Sequence, residues 1–396
     1  MTKVLRIINR FNLGGPTYNV AYLSKYMSDE FETLLVGGAK DKTEESSDFI
    51  VESLGLKPII IEEMMREIDF RKDYIAYKKI KEIIHEFKPD IVHTHASKAG
   101  TIGRLAAVSC GVPIILHTFH GHVFHSYFGK LKTSFYKYIE RYLAKKSTSI
   151  IAISEIQKHE LVSIHKICKA EKASVIPLGF DLSKFQENTI EKRKLFRSEY
   201  NLSEDEIAIS IIGRLVPIKN HTLFLEAIKI VSMKTSKKIR AFIVGDGEDR
   251  QKIETKAIEL GISFIHGMKS KESSLLTFTS WIKEIDVVLA GSDIIALTSY
   301  NEGTPVSLIE AQAANKPIVS TNVGGIENVV IPNQTAILCK NDDINDFSEG
   351  LLRVIEDDNL RLNMSEKGWD HVKEKYHFTR LVKDMENLYQ NLLNKR

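Results

Sequence analysis

The sequence predicts an α/β protein built as two parallel-sheet domains. Strands rich in Val and Ile alternate with helical stretches along the whole chain, the pattern of parallel sheets covered by helices on both faces. With 396 residues the chain is too long for one ordinary core and suits two. Its 43% hydrophobic and 27% charged residues describe a soluble globular protein, and a net charge of +3 is too small to argue for nucleic acid. No apolar run reaches the length of a membrane span, and the opening M-T-K-V-L-R-I-I-N-R is too short and too charged for a secretory signal. A cytoplasmic location is therefore expected. Cys110, Cys168 and Cys339 are odd in number, scattered and outside metal spacing, as inert thiols in a reducing compartment would be.

Residues 4–8 form the first strand. It runs into Asn12-Leu13-Gly14-Gly15-Pro16 and a helix over about 17–27. Gly14 and Gly15 either make a tight turn or let backbone approach a ligand at the strand's carboxyl end. They do not match the spaced-glycine dinucleotide fingerprint. Strands follow at 33–36, 58–61 and 90–95, with a long helix over 74–87. His93 and His95 share one strand face, but no nearby Asp, Glu or Cys completes a metal set, so polar packing is expected. Ser97-Lys98-Ala99-Gly100 opens another helix. The buried strand 113–119 delivers His120, His122 and His125, whose spacing fits no familiar zinc pattern.

In 130–146, Leu131, Phe135, Ile139 and Leu143 recur every four residues as one apolar stripe, with Lys130, Lys137 and Arg141 on the other side. Six basic residues stand against one acid, Glu140. This is either a solvated face on a core-packed helix or a contact for anionic lipid head groups. Strands at 149–154 and 174–179 close the first domain, and the polar stretch 186–203 carries the boundary.

The second domain opens with strand 207–212 and Gly213-Arg214-Leu215-Val216-Pro217-Ile218-Lys219-Asn220, then an amphipathic helix over 223–231. Arg214 and Lys219, five apart across a strand–helix loop, could converge on a pyrophosphate. Strand 241–244 leads to Gly245-Asp246-Gly247. Two candidates compete for the next strand, 263–267 and 277–281. One strand is expected, with the piece around 266–276 as an insertion. Strands 317–320 and 336–339 follow, with Gly324-Gly325 opening a helix after the first. Two helices over 344–375 and an amphipathic helix over 377–396 end the chain.

The most informative stretch is Y-N-E-G-T-P-V-S-L-I-E-A-Q-A-A-N-K-P-I-V-S-T-N-V-G-G, from Tyr300 to Gly325. A strand leaves its sheet, turns at Asn301-Glu302-Gly303 and enters a helix, with Thr304 as cap and Pro305 in first position. The N–H groups of Val306 and Ser307 then point out of a partly positive helix end, a ready anion site. Glu302 sits at the mouth and Glu310 on the helix wall. One carboxylate on each side of a phosphate site suits a nucleotide sugar, with ribose hydroxyls on Glu310 and sugar hydroxyls on Glu302.

This string, E-G-x-P-x-x-x-x-E followed by A-x-A-x-x-x-P-I-V and G-G, resembles the donor-site signature of family 4 retaining glycosyltransferases. The resemblance implies a GT-B fold: two Rossmann-like domains, 1–187 and 188–376, facing a central cleft, with the last helix, 377–396, returning to the first. It implies that Arg214 and Lys219 clamp the donor phosphates. Gly14, Gly15, Gly245, Trp281, Ile282 and residues Gly303 to Ser307 would line the donor, and His120 would reach the sugar near the transferred carbon. His95, Lys98, His122 and His125 are placed on the acceptor side. No D-x-D motif stands at a strand end in the right context, so metal-independent transfer with no cofactor is expected. The expected donor is a UDP-sugar, with a hexosyl or N-acetylhexosaminyl group passing to a polysaccharide or polyprenyl-linked sugar at the inner membrane face. Three other readings stay open: a UDP-sugar 2-epimerase of the same fold, a non-catalytic binding subunit, and a soluble transferase to a small molecule such as malate.

Overall fold

The structure, a computed structural model, describes residues 1–11, 15–38, 48–65, 67–120, 130–267 and 274–395. Gly14, His122 and His125 lie outside the described residues. The chain divides into two compact units, Met1–Phe180 with Lys375–Arg396, and Asp181–Glu374. The division falls at 180/181, ahead of the polar stretch 186–203. Backbone bonding explains the position: Phe180 N–H donates to Tyr376 O at 2.8 Å, and Phe378 N–H donates to Phe180 O at 3.0 Å.

The first unit holds strands β1 (Thr2–Arg10), β2 (Phe31–Gly38), β3 (Ile59–Ile60), β4 (Ile91–His95), β5 (Ile114–Phe119), β6 (Ser149–Ala152) and β7 (Ala173–Val175). They form one parallel sheet in the order β3-β2-β1-β4-β5-β6-β7. The order reverses between β1 and β4, where open sheets place ligands beyond their carboxyl ends. Val4, Leu5, Ile7, Ile91 and Val92 are all buried, which is why these strands read as continuous apolar runs. The last helix, Phe378–Asn394, turns Leu381, Met385 and Tyr389 at four-residue spacing into the core beside Val4, Ile91 and Leu116.

Helix Lys130–Lys146 buries only part of its four-residue stripe and is rotated away from Phe135. Phe135 is 61% exposed, while Glu140, Leu143 and Ala144 are buried. The cause is Arg104, fully buried on the neighbouring helix Ser97–Ser109. Its guanidinium reaches Glu140 at 2.6 Å and so fixes the rotation of the longer helix. Arg141 is also drawn inward, donating to His165 O at 2.7 Å and Lys166 O at 3.1 Å. The exposed side of this helix carries Phe135, Tyr138, Tyr142, Lys145 and Lys146.

The second unit holds β8 (Ile207–Ile212), β9 (Ile239–Val244), β10 (Phe264–His266), β11 (Leu276–Ser280), β12 (Ile294–Leu297), β13 (Ile318–Thr321) and β14 (Ala336–Cys339). They too form one parallel sheet, in the order β10-β11-β9-β8-β12-β13-β14, with its reversal between β8 and β12. Both candidate stretches beyond residue 260 are therefore strands. β11 pairs with β9, and β10 adds a three-residue edge, which corrects the expectation of one strand and an insertion. Residues 344–376 make three helices, Ile344–Glu356, Asp358–Glu366 and Gly368–Tyr376, where two were expected. The extra break comes at Asp357, whose side chain accepts from Leu360 N–H and starts a new helix. Gly324-Gly325 leads only to the short turn Ile326–Asn328.

Candidate functional site

The reversal between β8 and β12 brings two loops of the second unit together. The loop after β8 lies against the turn after β9: Gly213 N–H donates to Val244 O, and Leu215 N–H to Asp246 O, both at 3.0 Å. Added Cβ atoms at Gly245 and Gly247 would overlap the carbonyl oxygens of Gly213 and Leu215, so these two positions need glycine for close approach. Pro217–Lys219 is a single 3₁₀ turn that points Lys219 back toward the strand end. Arg214 is exposed; its carbonyl accepts from Val216 N–H at 3.0 Å, and its guanidinium has no hydrogen bond or ion pair among the described residues.

The loop after β12 supplies the carboxylate. Glu302 Oε1 accepts from Lys219 Nζ at 2.6 Å and from Ser299 Oγ at 2.6 Å. Both partners are largely buried, with side-chain exposures of 22% for Lys219 and 11% for Glu302. Gly324 and Gly325 brace this loop from behind. Gly325 N–H donates to Glu302 O at 2.8 Å, and a Cβ at Gly325 would overlap the carbonyl oxygen of Gly303. Gly303 itself faces open space, with nothing within 4 Å of an added Cβ.

The helix that follows is Val306–Ala313. Pro305, not Thr304, is its cap, and Pro305 is not the first helical residue. Its ψ of 100° is extended, and its carbonyl accepts from Leu308 N–H at 3.1 Å and Ile309 N–H at 3.3 Å. Val306 and Ser307 are left with N–H groups outside the helix ladder, so the anion site survives the shift by one residue. Glu310 stands one turn further along. Burial pushes its carboxyl up to about 7; Lys184 pulls it down and Asp286 adds to the rise, both by less. Trp281 and Ile282 follow directly on β11 and are half-buried.

Sequence reasoning missed Ser299, which donates to the same Glu302 oxygen as Lys219, and a polar lattice around Arg250 at the turn before Trp281. The i, i+4 spacing of Asp246, Arg250 and Glu254 was its visible sign.

In the first unit the carboxyl ends of β4 and β5 bring His95 and His120 together, Nδ1 to Nε2 at 3.0 Å. His95 is fully buried and packs against His93 with tilted rings whose centres are 4.1 Å apart, so it backs His120 and does not face solvent. His93 is bonded within the core, to Tyr389 Oη at 2.6 Å and Thr118 Oγ1 at 2.7 Å. His120 Nδ1 is buried without a partner among the described residues, and burial pushes its imidazole down to about 3, so it is a neutral hydrogen-bonding group. Ala96, next to this pair, has φ 67° and ψ 159°, a conformation nearly reserved for glycine and concentrated at functional sites. Lys98 is tied down by Asp73 at 2.5 Å and by the Glu67 carbonyl. Gly15 begins the helix Gly15–Tyr26, where a Cβ would come 3.3 Å from Leu178 Cδ1. Among the described residues, no three His, Cys, Asp or Glu side chains gather as a metal site, and no helix is long and apolar enough to cross a membrane.

Residues 13–184 match the family description Glycosyltransferase Family 4, and residues 192–371 match Glycosyl transferases group 1. The chain is 31% identical to the UDP-Gal:alpha-D-GlcNAc-diphosphoundecaprenol alpha-1,3-galactosyltransferase of Escherichia coli, over 88% of this chain and 86% of that one. The chain belongs to glycosyltransferase family 4. The glycosyltransferase is also 26% identical to the capsular polysaccharide biosynthesis glycosyltransferase CapM of Staphylococcus aureus, over 83% of this chain and 84% of CapM. Its fold is GT-B. A glycosyltransferase from Rickettsia africae superposes over 100% of this chain and 99% of its own with a TM-score of 0.79 at 20% identity. Anabaena HepE, solved with UDP, does so over 98% and 100% with a TM-score of 0.79 at 16% identity.

Proposed function

We propose that this glycosyltransferase moves a hexosyl or N-acetylhexosaminyl group from a UDP-sugar, with retention and without a divalent metal. The acceptor in this reading is a polysaccharide or a lipid-linked sugar. The observation that carries it is the Lys219–Glu302 ion pair at the open end of helix Val306–Ala313. A diphosphate arriving there competes for the Lys219 ammonium. Arg214 and the N–H groups of Val306 and Ser307 add to its hold. Glu302, released from Lys219, is then free to accept from the sugar hydroxyls. These fixed positive groups also stabilise the leaving diphosphate, the task a metal ion performs elsewhere. Glu310, on the helix wall, takes the ribose hydroxyls.

Retention without a dedicated nucleophile implies same-face attack. The departing phosphate takes the acceptor proton, and Glu302 orients the sugar. His120 serves as a neutral hydrogen-bonding group for the donor sugar. Support for the base comes from the Escherichia coli relative, named for UDP-Gal, and from HepE, solved with UDP-glucose. The first of these names a polyprenyl-linked acceptor as well. Peripheral attachment to an anionic inner membrane face fits the exposed side of helix Lys130–Lys146, where Lys145 and Lys146 accompany three exposed aromatic rings.

The test is a transfer assay with UDP-hexoses and a polyprenyl diphosphate-linked N-acetylglucosamine in excess chelator, with the product anomer read by NMR. An α-linked product formed in chelator is the expected result. An inverted product, or activity only with added metal, would overturn the scheme. A glycosyl adduct trapped on Glu302 would replace same-face attack by double displacement.

A further inference from the structure

The turn that carries Trp281 and Ile282 is held in an unusual shape. Ser280, the last residue of β11, has φ +59°, the left-handed region that side chains other than those of Asn and Asp rarely enter. The pairing of β11 with β9 shifts register between Phe278 and Ser280, so a bulge stands immediately before Trp281. Bulges of this kind bend a strand and re-aim the side chain that follows. The Ser280 carbonyl accepts from Gly245 N–H at 3.0 Å, which ties the turn to the glycine loop after β9.

One side chain grips this turn. Arg250 Nη1 donates to Ser280 Oγ at 2.6 Å and to Asp246 Oδ2 at 2.9 Å. Its Nε donates to Glu254 Oε1 at 2.8 Å, and its Nη2 meets His266 Nδ1 at 3.1 Å. The Ser280 hydroxyl donates in turn to Asp246 Oδ2 at 3.1 Å. The guanidinium also lies over the Phe278 ring, 5.6 Å from its centre. A single planar fork thus links the carboxyl ends of β9, β11 and β10, a geometry a lysine cannot reproduce. Ion pairs with exposures like those of Asp246 and Arg250, 35% and 23%, contribute little to global stability. What this lattice fixes is local: a strained residue one position before the side chains placed at the base.

The geometry points to Arg250 as a positioning residue that holds the Ser280 bulge and thereby shapes the pocket for the nucleobase. It touches no reacting atom. It acts on recognition of the base and leaves the phosphate clamp of Arg214 and Lys219 alone. The inference rests on the donor-site reading above.

Titration calorimetry with UDP and with pyrophosphate, which has no base, tests it on the full chain. Arg250→Ala is expected to weaken UDP at least tenfold and leave pyrophosphate within twofold of wild type. In the transfer assay the donor KM rises with kcat kept, the mark of lost uniform binding. Adding Ser280→Gly to Arg250→Ala should restore part of the UDP affinity, because glycine enters the left-handed region without help. Arg250→Lys, which keeps the charge but not the fork, carries the same comparison if the alanine variant does not fold. Equal UDP affinity in wild type and variant would overturn the inference, as would parallel loss of UDP and pyrophosphate. Failure of wild type to bind either ligand would sink the donor-site reading itself, a distinguishable result.

Discussion

Uridine diphosphate should bind about tenfold more weakly at pH 6 than at pH 8, with Glu310 as the cause. Burial lifts this carboxyl from 4.5 to about 7. Two vicinal ribose hydroxyls can both donate to an ionised carboxylate; a protonated one loses part of that acceptor capacity. With a pKa of about 7, roughly nine-tenths of the carboxyl is ionised at pH 8 and roughly one-tenth at pH 6. If binding needs the ionised form, the affinity falls by that ratio, about 1.4 kcal/mol. Calorimetry at pH 6, 7 and 8, in buffers of different ionisation heat, reads both the affinity and the protons released. The terminal phosphate of the nucleotide titrates near pH 6, so Glu310→Gln is the reference that isolates the carboxyl. Identical pH profiles in wild type and variant would mean that the Glu310 carboxyl does not govern UDP binding. The same shift has a consequence for stability. Between pH 4.5 and about 7 the unfolded carboxyl is ionised while the folded one keeps its proton, so stability falls as pH rises through that window. The total is about 3 kcal/mol, fully lost above the folded value, and Glu310→Gln should abolish that slope.

Lys219→Ala should lower kcat/KM by about a hundredfold, since it removes a fixed positive group from the leaving diphosphate, while retention of a third or more of the activity would contradict that role. Arg104→Ala should cost about 3–5 kcal/mol in urea unfolding, because it strands the buried Glu140 carboxylate, and UDP affinity in the folded variant should not change. A loss under 1 kcal/mol would mean that Glu140 finds water or another partner. Tyr138→Glu combined with Lys145→Glu should reduce co-sedimentation with phosphatidylglycerol vesicles, each basic residue near such a surface contributing about 1 kcal/mol. Unchanged sedimentation would remove this helix as the attachment face.

Much of the fold was legible because parallel strands buried on both faces announce themselves as apolar runs. The strand at Ile207–Ile212 falls where its sequence put it. The turn into helix Val306–Ala313 was legible for a different reason: Gly303, Pro305 and the carboxylates Glu302 and Glu310 each have a specific backbone or charge role at or near it. What stayed hidden depended on distant partners. The rotation of helix Lys130–Lys146 is set by Arg104 seeking Glu140, a contact no helical period encodes. Pro305 as cap follows from its extended ψ of 100°, a backbone setting that a proline after threonine does not announce. β10 was unreadable because three residues at a sheet edge carry little pattern. Polar packing was the expectation for His93 and His95, but which partners bury His95, the tilted ring of His93 and the bonded His120, depends on strands distant in sequence.

In the proposed reaction the second unit holds a nucleotide diphosphate through Lys219 without a metal. Thermal unfolding in excess chelator, with UDP, GDP, ADP or NAD, on wild type and Lys219→Ala, tests it most directly. UDP at a hundred times its dissociation constant should stabilise the wild type by about 2.7 kcal/mol and the variant far less. No stabilisation of the wild type by any of the four would mean that the second unit holds no such nucleotide, and equal stabilisation of both proteins by UDP would mean that Lys219 does not hold its diphosphate.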